Sequence, residues 1–327
     1  MLMSMMRKFV VLTTAFFVLT ASSGAGAVNI DWITISDAGN VADDTGYGSV
    51  ASSYRISRHE VTVGQYAEFL NAKASSDPYA LFSTLMDTYQ GITRQGTSGS
   101  YSYDVEVGRE NRAMGHVSFA NALRLANWMN NGQGSASTEA GAYDISLGTM
   151  TSGALQREAG ATIFLPSEDE WYKAAYYDSL SSSYFEYPTF SDSPGSCSSP
   201  TSAPNSANCN SAAGANTLTD VGSYSNSQSP YGTFDQGGNV WEWNESFLSG
   251  DSGGLRGGGN GSNQATGAWG DMRASYRGGD AGGPVPGGLD IAYGFRLGAV
   301  IPEPSTGLLV SLGLIGLSAV NRRRRVA

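Results

Sequence analysis

The stretch Gly237-Gly238-Asn239-Val240-Trp241-Glu242-Trp243, which follows Tyr231-Gly232-Thr233-Phe234-Asp235, constrains the fold more than any other. Paired glycines permit a tight turn, and two tryptophans one residue apart act as anchors that need burial. Glu242 sits between them, where a carboxylate is costly to bury without a partner. The stretch therefore requires backbone N–H groups, an arginine such as Arg256 or Arg296, or a bound cation.

Both ends of the 327-residue chain read as address labels. Residues 1–27 carry Arg7-Lys8, an apolar run from Phe9 to Thr20, and Ala25-Gly26-Ala27, the layout of a cleavable secretory signal peptide. At the other end, Ile301-Pro302-Glu303-Pro304 precedes an apolar run over 307–320 and then Arg322-Arg323-Arg324-Arg325. This 301–327 tail resembles the PEP-CTERM sorting signal in all three of its parts. The resemblance implies an exosortase-type processing protease as partner, and delivery to the cell surface or an exopolysaccharide matrix. The short run, if it spans, does so with its basic end in the cytoplasm, tethering the protein until the tail is processed.

The segment between the labels, 28–300, suffices for one large domain or two small ones. It holds 13 Lys and Arg against 28 Asp and Glu, a net −15 that disfavours nucleic acid and anionic surfaces and suits cations. Cys197 and Cys209, the only cysteines, lie in a Ser-, Pro- and Asn-rich loop, and export makes a local disulfide their natural state.

Three helices are legible. Thr62 and Gln65 have capping-box spacing ahead of Val63, Tyr66, Phe69 and Leu70, and that helix should end near Lys73. A second runs from about Ser118 to Asn131, with Gly132 after it. A third opens at Pro166-Ser167-Glu168-Asp169-Glu170, where Ser167 and Glu170 form the box and the acids complement the helix dipole. Ile30–Ile35 and Tyr54–Ser57 read as strands, Leu81–Met86 as a helical turn, and 96–103 as a loop or hairpin. Residues 179–230 read as a surface excursion, and 231–300 as irregular strands between glycine-rich loops.

Together these segments resemble the sulfatase-modifying-factor family, whose best-known member is the formylglycine-generating enzyme. The matching pieces, in the family's order, begin with Glu60-Val61-Thr62 with Gln65-Tyr66, and Val117-Ser118 with Ala126-Asn127-Trp128. They continue through Leu165-Pro166-Ser167-Glu168 with Glu170-Trp171, then Gly238–Trp243, Leu255-Arg256-Gly257-Gly258 and Gly294-Phe295-Arg296. The resemblance implies one α+β domain, a C-type lectin-like variant with little regular secondary structure. It also implies a structural calcium held by the side chains of Asp235 and Glu242 and the backbone carbonyls of Gly238 and Val240, a mixed oxygen set of the kind calcium prefers.

The family's chemistry carries over less well. Its copper is held by two cysteines after the Arg-Gly-Gly segment, and this chain has no cysteine beyond Cys209. Copper is therefore not expected. A non-heme iron triad needs two histidines and a carboxylate. Only His59 and His116 exist, each read as a surface or hydrogen-bonding residue. Arg256, Arg273, Arg277 and Arg296 are read as braces for an acidic core. The expectation is an exported, surface-sorted binding or matrix module for an envelope or exopolysaccharide component. The enzymatic alternative is an iron-dependent oxidase or hydroxylase, or a divergent formylglycine-generating enzyme.

Overall fold

The computed structural model describes residues 27–145, 155–247, 253–262, 270–279 and 293–302. The expected signal peptide through Gly26 and the apolar run 307–320 lie outside them.

Trp32–Ile35 (β1), with alternating burial, and Tyr54–Ser57 (β2), buried at every residue but Arg55, form an antiparallel pair in which Ile33 faces Ile56 and Ile35 faces Tyr54. Helix α1, Val63–Lys73, starts at Thr62 with both capping-box bonds formed and buries Val63, Tyr66, Ala67, Phe69 and Leu70. The turn expected over Leu81–Met86 falls later, as a π-helical turn at Met86–Gln90. What Leu81, Phe82 and Met86 share is burial in the main core, not helical backbone across the whole run. Ile92–Gln95 (β3) and Ser102–Val105 (β4) form the hairpin around 96–101. Helix α2, Phe119–Asn130, is capped by Ser118 and is buried on almost every side.

Ile163–Phe164 (β5) leads into α3, Glu168–Tyr176, whose capping box uses Ser167 and Glu170. Four two-residue strands follow: Tyr177–Asp178 (β6) with Ser183–Tyr184 (β7), and Ser196–Cys197 (β8) with Ser206–Ala207 (β9). Cys197 and Cys209 are joined in a disulfide, with Cα atoms 4.9 Å apart. This stretch is not wholly a surface excursion. Tyr187, Ala207 and Cys209 cluster with Met272, and Tyr224 and Leu218 are buried.

Trp241–Phe247 (β10) is the centre of the second sheet. It pairs antiparallel with Gly253–Arg256 (β11), which pairs with Gly278–Gly279 (β12), and parallel with Tyr293–Phe295 (β13). The last strand, Gly298–Val300 (β14), inserts between β2 and β5, so the first sheet has the order β1-β2-β14-β5. The main core lies between α1, α2 and these sheets, with Trp128, Trp243, Phe295 and Leu297 inside it.

Candidate functional site

Glu242 is completely buried, and its charge is answered in place. Arg296, just past β13 and also fully buried, donates from Nε to Oε2 at 2.6 Å and from Nη2 to Oε1 at 2.7 Å. Trp171 of α3 donates Nε1–H to Oε2 at 2.7 Å. The other guanidinium N–H groups reach the carbonyls of Ser57, Arg58 and Phe234 at 3.1, 3.2 and 2.8 Å. A bidentate pair with its remaining donors satisfied is the arrangement under which a buried ion pair holds. Arg256 lies opposite Glu242 in the strand register, yet it is not the partner.

Two more carboxylates crowd the same arginine. Glu60, 2% exposed, accepts from Asn239 Nδ2 on Oε1 at 3.0 Å, while its buried Oε2 has no hydrogen-bond partner. Asp235 accepts the Gly222 N–H on Oδ2 at 2.6 Å. Burial first, then Asp235 and Glu242, push Glu60 well above the usual carboxylate range. Burial likewise pushes Asp235 up to about 6, against the pull of Gly222 N–H and Arg296. One arginine faces three acids, and that shortfall of positive charge adds to burial in raising Glu60.

The glycine–asparagine pair is explained by close approach. A Cβ at Gly238, where φ is +83°, would lie 2.6 Å from the carbonyl oxygen of Asn208. Asn239, also left-handed at φ 58°, accepts from Asn208 Nδ2 and Thr219 N, each at 3.0 Å, and donates to Glu60. Of the expected cation ligands, Asp235 and Glu242 are thus brought to one charged centre, with Gly238 and Val240 in the turn between them. The oxygens of Glu242 are engaged by Arg296 and Trp171.

A second knot lies at the Arg256 end of β11. Arg256, fully buried, donates Nε–H to Glu168 Oε1 at 2.8 Å and Nη1–H to the carbonyls of Ala274 and Tyr276 at 2.8 and 2.6 Å. Arg277 takes both oxygens of the same Glu168, and both guanidinium groups stack on Tyr47, at 4.8 and 4.9 Å. Arg273 differs from the expectation, being exposed and only loosely paired with Glu186 at 3.7 Å. Gly257 must be glycine, since a Cβ there would meet the Gln236 carbonyl at 2.6 Å. Glu170 does more than cap its helix. With Glu245 it clamps Arg157, at 2.6 and 2.8 Å, over the ring of Phe164.

The histidines are apart in role. His116 is buried at φ 56° beside Tyr89, which corrects the surface reading. His59 stacks on Phe234, and burial, then Arg296, lowers it to about 4. Among the described residues no three His, Cys, Asp or Glu side chains gather to hold a metal. Beside His59 a cavity of about 470 Å³ opens between β2, the start of α1 and the 220–221 loop, with Glu60 in its wall.

These groups oppose one another in pH dependence. An unfolded Asp titrates near 3.9, so folded Asp235 at about 6 binds more protons in between, and it costs stability as pH rises through that window. Glu60 acts in the same sense. His59 is depressed from about 6.5 to about 4, binds fewer protons when folded, and adds stability as pH rises from about 4 to 6.5. In chelator-treated protein, Asp235→Asn makes stability climb more with pH over this range, and His59→Gln makes it fall more. Urea denaturation from pH 4 to 7 reads both slopes, and identical slopes in all three proteins refute the assignment.

The structure is an α+β domain of short strands and few helices, closed by buried arginine–carboxylate pairs around a Gly-Asn-Val-Trp-Glu-Trp strand, the class the sequence led us to expect. The profile of the sulfatase-modifying factor enzyme 1-like domain matches residues 39–300, and the chain belongs to that family. The PEP-CTERM protein-sorting motif matches 300–325, which implies export, cell-surface sorting and processing by an exosortase. No helix among the described residues is long and apolar enough to cross a membrane. Among solved structures the chain is similar to CarF, at 16% identity and TM-score 0.52, covering 84% of this chain and 100% of that one. That likeness shows the fold alone. Treponema denticola variable protein 1 matches at 17% identity and TM-score 0.49, over 85% of this chain and 97% of that one. No curated protein matches the chain.

Proposed function

We propose that this exported, surface-sorted protein uses its sulfatase-modifying-factor domain as a calcium-stabilised binding or matrix module, not as a copper oxidase. The observation that carries the reading is the chemistry of the segment after Arg256-Gly257-Gly258. Among the described residues Arg256 is locked to Glu168, while the sequence beyond it has no cysteine to serve as a soft copper ligand. Metal analysis of the purified protein, with an assay for oxidation of a cysteine-containing sulfatase-type peptide, tests it. The expected result is no copper or iron and no oxidation. Stoichiometric copper or iron with turnover refutes the reading, and iron lost on replacing His59 and His116 would identify a non-heme iron enzyme.

The family's calcium fits this chain in part. Asp235 and the carbonyls of Gly238 and Val240 are hard oxygen donors, and a cation there could displace the protons that crowding and burial place on Asp235 and Glu60. Glu242 would join them only by giving up Arg296. Chelation should therefore lower the melting temperature by several degrees, since an ion bound only to the native state stabilises it. The same treatment of Asp235→Asn should leave the melting temperature unmoved. No chelator effect on the wild-type protein removes calcium from the account.

A further inference from the structure

We infer that Gln133 is the seat of the mature N-terminus. Removal of residues 1–27 turns the Val28 peptide N–H into an α-ammonium that this side chain holds, so processing of the export signal tightens the folded domain. The inference concerns maturation and does not rest on what the domain binds.

Two independent features mark the bond between Ala27 and Val28. In the sequence, Ala25 and Ala27 place small residues where a signal endopeptidase reads them ahead of its cut. In the fold, Ala27 is exposed, whereas every residue from Val28 to Asp31 is held. Val28 packs against the main core and Ile30 is buried in it. The Asn29 carbonyl accepts from Gln65 Nε2 at 2.9 Å, and the Asp31 carbonyl accepts the Arg58 N–H at 2.8 Å. Hydrolysis of the bond consumes one water: Ala27 leaves as a carboxylate, and the Val28 nitrogen is left as an ammonium.

Gln133 meets Val28 with both ends of its amide. Val28 N donates to Oε1 at 2.6 Å, and Nε2 donates to the Val28 carbonyl at 2.8 Å, across 105 residues of chain. The end of α2 fixes where Gln133 stands. Gly132 and Gln133 are both left-handed, at φ 76° and 60°, and the Gln133 N–H closes on the Trp128 carbonyl at 2.9 Å. Asparagine adopts that backbone more readily but is one methylene shorter, so it falls short of Val28. The charge fits as well. Aligned peptide dipoles leave the C-terminal end of a helix partly negative, and the last turn of α2 holds no basic residue to answer it. An α-ammonium supplies that charge, and a charged donor makes a hydrogen bond about twice as strong as a neutral one.

Mass spectrometry and amine labelling of the exported protein test the seat. The expected N-terminus is Val28, and a terminus at any other residue overturns the inference. After residue 27 the chain has two lysines, of which Lys173 is fully buried, so Lys73 serves as the internal reference. At about pH 7, below the usual α-amino pKa of about 7.7–8.0, acetylation favours the α-amine over lysine. Acetylation of Val28 relative to Lys73 should run about tenfold faster in Gln133→Asn than in the wild type, because the variant releases a charge-assisted hydrogen bond. Acetylation also returns the nitrogen to an uncharged amide N–H, as in the precursor. It should therefore lower the wild-type melting temperature by about 2–4 °C and leave that of Gln133→Asn unmoved. Relative rates within about twofold of each other, less than the weakest hydrogen bond gives, overturn the seat. So does a wild-type melting temperature that acetylation leaves unchanged, a reading that needs no variant to fold.

Discussion

Replacing Glu242 by glutamine lowers the stability of this protein by about 3–5 kcal/mol, the usual loss when one partner of a buried ion pair is removed. The substitution keeps the shape of the side chain and removes its charge, stranding an arginine with no exposure to water. Glu60 and Asp235 stand near Arg296 but are directed to Asn239 and Gly222 and do not grip the guanidinium. Arg296→Met should cost at least as much, because it leaves three buried acids without their cation. Combining the two changes should cost well below the sum of the single losses, since each removes a charge the other had left unpaired. Urea denaturation of the two single variants and the double variant measures this coupling. A loss below about 1 kcal/mol for Glu242→Gln would mean that Arg296 finds another acid, Glu60 or Asp235.

The second large effect belongs to the disulfide. Converting both Cys197 and Cys209 to serine should cost about 3 kcal/mol, the value expected for cross-linking a loop of this length through the unfolded chain's entropy. The loss should be felt beyond the loop. Cys209 is fully buried against Tyr187, Ala207 and Met272, and the neighbouring Asn208 makes the close backbone contact that requires Gly238. Denaturation with and without a reductant reads the cost. If reduction leaves the midpoint unchanged, the loop is held by its own hydrogen bonds, such as those Thr189 Oγ1 donates to Asn205 Oδ1 and Ser206 N–H donates to Ser227 Oγ.

What could be read in advance was local. Thr62–Gln65 and Ser167–Glu170 declare their helices because a capping box is written within four residues. The burial of Trp243 and the tight approach at Gly238 follow from residue type alone. The partner of Glu242 does not, since Arg256 and Arg296 are equally cationic and only the assembled sheet decides between them. The proximity that mattered was Trp171 closing on Glu242 and Arg296 reaching the Ser57 carbonyl, across 71 and 239 residues of chain. Glu60 stands in the sequence only as part of the Glu60-Val61-Thr62 segment, and nothing local shows that its carboxylate goes inside with Val61 and Val63. The serine-rich segment misled in part because its buried members, Tyr187, Leu218 and Tyr224, are spread too thinly to give a periodic pattern.

The position of the last strand bears on the order of events during export. β14 is not an edge; it separates β2 from β5, and Arg296, two residues before it, supplies the charge that lets Glu242 stay in the core. The sorting motif begins at residue 300, the last residue of that strand. A chain threaded through a membrane from its N-terminus therefore cannot close either sheet until the final pairing segment has crossed. At that moment the tail is the next thing in the pore. Completion of the domain and arrival of the sorting signal coincide, so the folded state itself marks that the sheet-forming segments ahead of that signal have crossed.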